Sequence, residues 1–265
     1  MNRYISNRTW LMNLKPMWLR EKLFWKLYLN QKTTLTLFEQ AKLEFAPQVY
    51  LKLMPTDVSH KQIAYSGFYE LPVSRRIAKL AKAGGLMVDV VANYGYYSCI
   101  WAAAGVNNRV VAFEASPRNL SALKGNLIKN RFETQVDVQE IALGKESGKL
   151  LFNLGPAEQS GWGGLVIENK PGVIEVPVVS LDEVFMNLQC EHIDGLKIDT
   201  EGADTWVIYG AEQLLRSHKI KHIFFEENTV RMSALGIRPG EAQTLLQECG
   251  YHSKSLGKGE WYAIV

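Results

Sequence analysis

Beyond residue 85 the chain alternates two rhythms: short, nearly continuous apolar runs, and longer stretches where apolar residues return every three or four positions. The first rhythm marks strands buried on both faces, and the second marks helices packed against them. Leu86–Val91 is apolar except for Asp89 and predicts a strand, followed by a helix over Tyr97–Ala104. Arg109–Glu114 and Val136–Ala142 read as the second and third strands. Between them Ser116 is a good N-cap and Pro117 suits a first helical position, so Pro117–Asn130 reads as a helix. Ile193–Ile198 and Ile220–Phe225 give a fourth and fifth strand, separated by a helix over Asp204–Ser217. Glu241–Cys249 is a helix ended by Gly250, and a terminal hairpin follows, turning at Leu256-Gly257-Lys258-Gly259 between Tyr251–Ser255 and Glu260–Val265. Residues 149–180 alternate short strands with turns at Gly161, Gly163, Gly164 and Gly172, which predicts a hairpin-like insertion. Strand alternating with helix implies an α/β fold with right-handed crossovers and a ligand crevice at the C-terminal ends of a parallel sheet.

Residues 1–84 follow a different pattern and read as a mainly helical N-terminal extension, distinct from a domain over 85–265. Pro16 opens a helical stretch, Met17–Leu29, with nine apolar residues and four charges. Trp10, Trp18 and Trp25 recur near heptad spacing. Basic residues mixed with Trp and Leu over residues 10–30 suit a peripheral membrane or lipid contact. The apolar positions spread around the helix, however, which favours packing on the rest of the chain or on a second subunit of a homo-oligomer.

Charge sharpens this division. Residues 1–82 carry 14 Lys+Arg and 5 Asp+Glu, a balance of +9, whereas the remainder has 16 and 22, a balance of −6. A basic front on an acidic body points to an anionic partner for the front. Cys99, Cys190 and Cys249 show neither a metal spacing nor an even count, which favours reduced thiols. No apolar stretch is long enough to cross a bilayer, and Arg3, Arg8, Lys15 and Arg20 interrupt any signal-peptide core. These features together predict a cytoplasmic protein.

The candidate chemistry lies at predicted strand ends. Val88-Asp89-Val90-Val91-Ala92-Asn93-Tyr94-Gly95 is a strand turning into a helix through small residues, as close approach of backbone to a ligand requires. Glu114 ends the second strand, where a carboxylate can accept hydrogen bonds from both hydroxyls of a ribose. This geometry serves dinucleotides as well as S-adenosylmethionine (SAM). A pyrophosphate disfavours Asp89 beside the turn, whereas the ammonium and sulfonium of SAM favour acidic surroundings.

In this respect the sequence resembles the FkbM-type methyltransferase family. Asp89, Ala92, Asn93, Gly95, Tyr97 and Ser98 match its first motif. Ala112-Phe113-Glu114 with Pro117 and Asn119, Ala142-Leu143-Gly144 with Gly148, and Ser180-Leu181-Asp182 follow in order. Leu196-Lys197-Ile198-Asp199 with Glu201-Gly202, then Gly210-Ala211 and Glu226, complete the series, which spans about residues 65–250. The resemblance implies a Rossmann-like class I methyltransferase sheet, mostly parallel with an antiparallel terminal strand. It implies SAM as cofactor and a hydroxyl of a small molecule, secondary metabolite, sugar or glycan as acceptor.

The cofactor-binding residues expected on this basis are Glu70, Asp89, Ala92, Asn93, Tyr94, Gly95, Glu114, Ala115, Ser116, Asn119, Ala142, Leu143 and Asp199. Glu70 is read as a partner of the methionine ammonium, and Ala142 and Leu143 as neighbours of the adenine. Asp199, Glu201 and Glu226 are the candidate catalytic carboxylates, with Asp199 placed to take or orient a hydroxyl proton. The same three could hold Mg²⁺, although Glu201 in the first turn of a helix also has a dipole-stabilising role. Trp162, in the insertion, offers a stacking face to the acceptor. No base-flipping motif is present, so nucleic acid is not an expected substrate.

One departure stands out, because Val91 occupies the position of the family's first Gly. If that residue has φ > 0, valine costs about 1–2 kcal/mol there. This motivates an alternative reading, a catalytically silent binding or scaffold protein on the same fold.

Overall fold

The structure, a computed structural model, describes residues 9–29, 35–188 and 190–265. Seven strands form the central sheet: β1 (Leu86–Val90), β2 (Arg109–Phe113), β3 (Val136–Gln139), β4 (Gly195–Ile198), β5 (His222–Glu226), β6 (His252–Gly257) and β7 (Glu260–Ile264). Their spatial order is β6-β7-β5-β4-β1-β2-β3. Strands β1 to β5 run parallel, and β7 lies antiparallel between β5 and β6. This is the expected Rossmann-like methyltransferase sheet. The order reverses at β1, with β2 on one side and β4 on the other, so the crevice opens above the tips of β1 and β4.

Several elements end elsewhere than the sequence predicts, each for a tertiary reason. The third strand leaves the sheet after Gln139. Ala142–Leu143 instead joins a second sheet, pairing parallel with Val178–Val179. That sheet also contains Gly148–Asn153 and Gly164–Val166, so the predicted insertion is four-stranded with Ala142–Leu143 as an edge. The predicted 204–217 helix is two pieces, Asp204–Tyr209 and Glu212–Arg216. Gly210 sits at the break, where an added Cβ would lie 2.0 Å from the carbonyl oxygen of Gly144. The helix after β1 is Tyr96–Ala103, one residue earlier than expected.

The N-terminal residues are mainly helical but include a short pairing of Ala41–Lys42 with Tyr50–Leu51. They share one core with the sheet, in which Phe24, Phe38, Leu43 and Ile63 pack with Trp101, Ile100 and Phe224. The Met17–Leu27 helix turns Arg20 and Phe24 inward. Arg20 donates to Leu14 O (2.8 Å) and to the Glu44 carboxylate (2.7 Å), which satisfies a guanidinium that is 1% exposed. Trp10, Trp18 and Trp25 face outward. Arg3, Arg8 and Asn30, which entered the readings of this end of the chain, lie outside the described residues. Among the described residues no helix is long and apolar enough to cross a membrane. The opposite face of the sheet is closed by Val88, Leu196 and Ile223 packed with Val207, Leu215 and Leu246.

Candidate active site

The loop after β1 is wound tightly: Val91, Asn93 and Gly95 have φ of 64°, 52° and 87°. Gly95 is required there, since a Cβ would lie 2.9 Å from Leu123 as well as in the left-handed region. The loop is tied to β2 by Ala92 N–H to Phe113 O (2.9 Å) and by Asn93 N–H to the Glu114 carboxylate (2.7 Å). The other Glu114 oxygen accepts from Ser116 N–H (2.8 Å). Glu114 is 1% exposed, and burial pushes its carboxyl up to about 7. Asp89 lies beneath the loop, 2% exposed, and accepts from Ser98 Oγ at 2.5 Å. Its place is structural support, fastening the helix to the strand that precedes it. Burial raises it to about 6.

Two cavities meet at this loop. One of about 310 Å³ is apolar and lined by Val91, Phe113, Ala115, Ile141, Ala142 and Leu143. The other, about 700 Å³, is lined by Val91, Ala92, Asn93, Tyr94, Trp162, Asp199 and Glu201 among others. No Lys or Arg lines this cleft.

Asp199 projects from the tip of β4 and faces Lys197 Nζ at 3.2 Å; the lysine is 1% exposed. Lys197 also lies 5.3 Å from the centre of the Tyr97 ring. Glu201 (φ 56°) pairs with Arg231 at 3.3 Å, and burial with the neighbouring Asp199 charge lifts its carboxyl to about 7. Glu226, at the tip of β5, is raised to about 8 by burial and by Asp199, Asp204 and Glu201. Asp204 is buried and accepts from Thr200 N–H (2.9 Å) and Glu226 N–H (2.8 Å), locking the tips of β4 and β5 together.

The three carboxylates proposed from the sequence therefore divide. Asp199 and Glu201 line the cleft, whereas Glu226 lines a different cavity together with Glu70. They do not form the oxygen cage expected of a Mg²⁺ site: Asp199 and Glu201 each face a basic side chain. Among the described residues no group of three or more His, Cys, Asp or Glu side chains is arranged to hold a metal. Glu70 accepts from Tyr97 Oη (2.7 Å) and does not line the loop cleft.

The insertion closes one side of the site. Ser160 N–H donates to Asp57 Oδ2 (2.6 Å), and Ser160 Oγ lies 3.0 Å from both Asp57 Oδ2 and Asn93 Oδ1. Asn119 donates to Ser160 O (3.0 Å) and also hydrogen-bonds the Glu114 carboxylate. His60 stands 3.3 Å from Ser160 Oγ, and burial holds it below the ordinary histidine value.

A sequence model of the methyltransferase FkbM domain matches residues 89–253, more than half of the chain and all of the site just described except its N-terminal contributors. The chain belongs to the FkbM methyltransferase family. No curated protein matches it. Among solved structures, the methyltransferase FkbM from Methylobacillus flagellatus KT is 14% identical, with 69% of this chain and 44% of that one covered and a TM-score of 0.46. The chain thus spans less than half the length of that structure. Precorrin-6y C5,15-methyltransferase from Geobacter metallireducens GS-15 is 16% identical, covering 72% and 85%, with a TM-score of 0.43. An O-methyltransferase from Bacillus cereus in complex with SAH is 10% identical, covering 75% and 82%, with a TM-score of 0.40.

The residues of this methyltransferase site fit SAM on chemical grounds. Among the described residues the cleft offers two carboxylates and His60 but no Lys or Arg, which suits a sulfonium and an ammonium and disfavours a pyrophosphate. The adjoining pocket is narrow and apolar, a lining that favours an uncharged group over a phosphate. Sequence reasoning does not single out Lys197, Asp204, Glu260, Asp57 or His60 as parts of the site, and reads Ser160 through Gly164 as a mobile lip without fixing what Ser160 holds. Glu260 carried a usable signal, because it follows the Gly257-Lys258-Gly259 turn and the hairpin register sets it opposite Glu226.

Proposed function

We propose that this chain transfers the methyl group of SAM to a hydroxyl oxygen of a small-molecule or sugar-like acceptor, with Asp199 accepting the proton. The observation that carries the reading is the position of Asp199. It stands at the tip of β4, lines the loop cleft, and is fixed by a buried lysine 3.2 Å away.

Bound SAM supplies a methyl group on a sulfonium, an electrophile that needs no metal to activate it. The loop Val91–Gly95 and Glu114 hold the sugar and amino-acid parts, with Ala115, Ala142 and Leu143 against the base. Asn119 and Ser116 keep Glu114 in place. At the acceptor, the hydroxyl oxygen would take the methyl group as the sulfur–methyl bond breaks, its electron pair staying on sulfur to leave S-adenosylhomocysteine, while the hydroxyl proton passes to the Asp199 carboxylate. Lys197, 3.2 Å away, orients that carboxylate. Glu201, held by Arg231 and by Asn228 (3.3 Å), shapes the floor beside it.

Calorimetric titration with SAM and with S-adenosylhomocysteine (SAH), with and without Mg²⁺, tests the cofactor. Saturable one-site binding that ignores Mg²⁺ is expected. A screen of hydroxyl acceptors by SAH release then tests the base. Asp199→Asn is expected to keep SAH binding and lose turnover by about 10²-fold or more; undiminished turnover excludes Asp199 as proton acceptor.

A second reading, a binding protein that keeps the fold without turnover, is favoured by one observation, the φ of 64° at Val91. Tight SAH binding with no methylation of any hydroxyl acceptor supports it.

A further inference from the structure

A cavity of about 750 Å³ lies across the strand tips from the loop cleft. It is bounded by the Met17–Leu27 helix, the start of the Leu71–Leu80 helix and the turn between β6 and β7. Tyr69 lines both this cavity and the loop cleft.

Its lining is strongly acidic. Glu21, Glu70, Glu226 and Glu260 contribute four carboxyls, and the single basic side chain lining it among the described residues, Lys258, is paired with Glu21. Glu226 and Glu260 stand directly opposite in the antiparallel β5–β7 register, a pairing that costs free energy when both are charged. Two side chains lining the cavity are buried with no protein partner on a polar atom. Glu260 Oε2 is one and Gln62 Nε2 the other, in residues that are 7% and 3% exposed. Such atoms are costly unless a ligand supplies the missing contact: a donor such as an ammonium for Glu260 Oε2, and an acceptor on the same molecule for the Gln62 amide. Lys197, the buried cation nearest by charge, already faces Asp199. Burial and the Glu70 and Asp199 charges hold Glu260 far above the ordinary carboxylate range. Trp25, on the rim, is 44% exposed and offers a flat face.

We propose that this cavity seats the positively charged end of the acceptor, an organic ammonium carried on a flat or ring-shaped body whose hydroxyl points past Tyr69 toward Asp199. The ammonium donates to Glu260 Oε2 and favours the charged forms of the Glu226–Glu260 pair, and the ring packs on Trp25. A neutral polyol can donate to the same oxygen but brings no charge to the acidic lining. This assignment rests on the methyl-transfer reading above.

The test uses the full chain and two probes of nearly equal shape, phenethylamine and 2-phenylethanol, titrated calorimetrically near pH 8. SAH is titrated separately into the same protein. The amine is expected to bind at one site at least tenfold tighter than the alcohol. Glu260→Gln is expected to weaken the amine at least fivefold, and Glu226→Gln provides the same readout should the first variant fold poorly. Equal binding of the two probes, no binding of either, or amine binding indifferent to a folded carboxamide variant overturns the proposal. If SAH fails to bind while the amine is still preferred, the methyl-donor reading falls and the cation cavity stands on its own.

Discussion

At Val91 opposing free energies meet within one residue. Its φ of 64° places a β-branched side chain in the left-handed region, at about 1–2 kcal/mol. The same side chain lines both the apolar cavity and the Asn93–Tyr94 cleft, so it also packs where a cofactor lies. Val91→Gly removes the strain but adds about 0.5–1 kcal/mol of chain entropy and forfeits roughly 1–2 kcal/mol of side-chain burial. These terms nearly cancel, so the melting temperature is expected to move by less than about 5 °C. Affinity separates from stability here, because the glycine variant opens space between the two cavities. SAH is expected to bind several-fold tighter to Val91→Gly, as read by calorimetry. Weaker binding shows instead that the valine is a packing contact for the cofactor and that the loop is built around it.

Among the elements, the insertion is the one held over the site by contacts that can break. Ser160 bridges Asp57 and Asn93 through its hydroxyl and meets Asn119 through its carbonyl, directly beside the buried Glu114. Each hydroxyl contact contributes about 0.5–1.5 kcal/mol. Ser160→Ala removes the hydroxyl contacts but keeps the Ser160 N–H bond to Asp57. The segment is therefore expected to open about tenfold more readily, raising the SAH association rate by a similar factor in stopped-flow fluorescence of Trp162. An unchanged rate excludes this segment as the gate. None of this was legible in the sequence: Ser160 and Asp57 are 103 positions apart, and nothing in a local period relates them. The strands were legible because a buried parallel strand must be nearly all apolar, and β1, β2 and β4 are apart from Asp89, Arg109 and Lys197. Their tips followed, so Asn93, Glu114 and Asp199 were expected just beyond the ends of β1, β2 and β4, where they lie. The breaks at 140–141 and at Gly210 were not, since they arise where a neighbouring segment presses on the chain. The role of Glu260 depends on hairpin register, and that of Glu70 on a bond to Tyr97, both tertiary facts.

For the molecule as a whole, a small set of the body's carboxyls lies where water is largely excluded. Glu114 and Glu201 are raised to about 7, Glu226 to about 8 and Glu260 further, each chiefly by burial. Stability depends on pH through the difference in protons bound by the unfolded and native states. A carboxyl raised in the fold keeps a proton that the unfolded chain releases near 4.5, so between those two values the native state binds more protons. Stability from these groups is therefore fully present below about 4.5 and falls as pH rises toward the folded value. Lys197 does not oppose this at neutral pH, because its own value is raised further above the ordinary lysine value. His60, held low, loses stability only on the acid side of its ordinary 6.5. The window from pH 7 to pH 9 thus reads Glu226 and Glu260, the last part of Glu114 and Glu201 and, toward pH 9, the raised thiols of Cys99, Cys190 and Cys249, all with the same sign. The ligand-free protein is expected to be less stable at pH 9 than at pH 7, with a lower urea midpoint at unchanged slope. Glu226→Gln should flatten that difference, because a carboxamide carries no proton to lose. A midpoint that rises between pH 7 and pH 9 places the charged forms of these carboxyls as the stabilised ones, and the strand-tip cluster is then held together by ion pairing with Lys197 and Arg231.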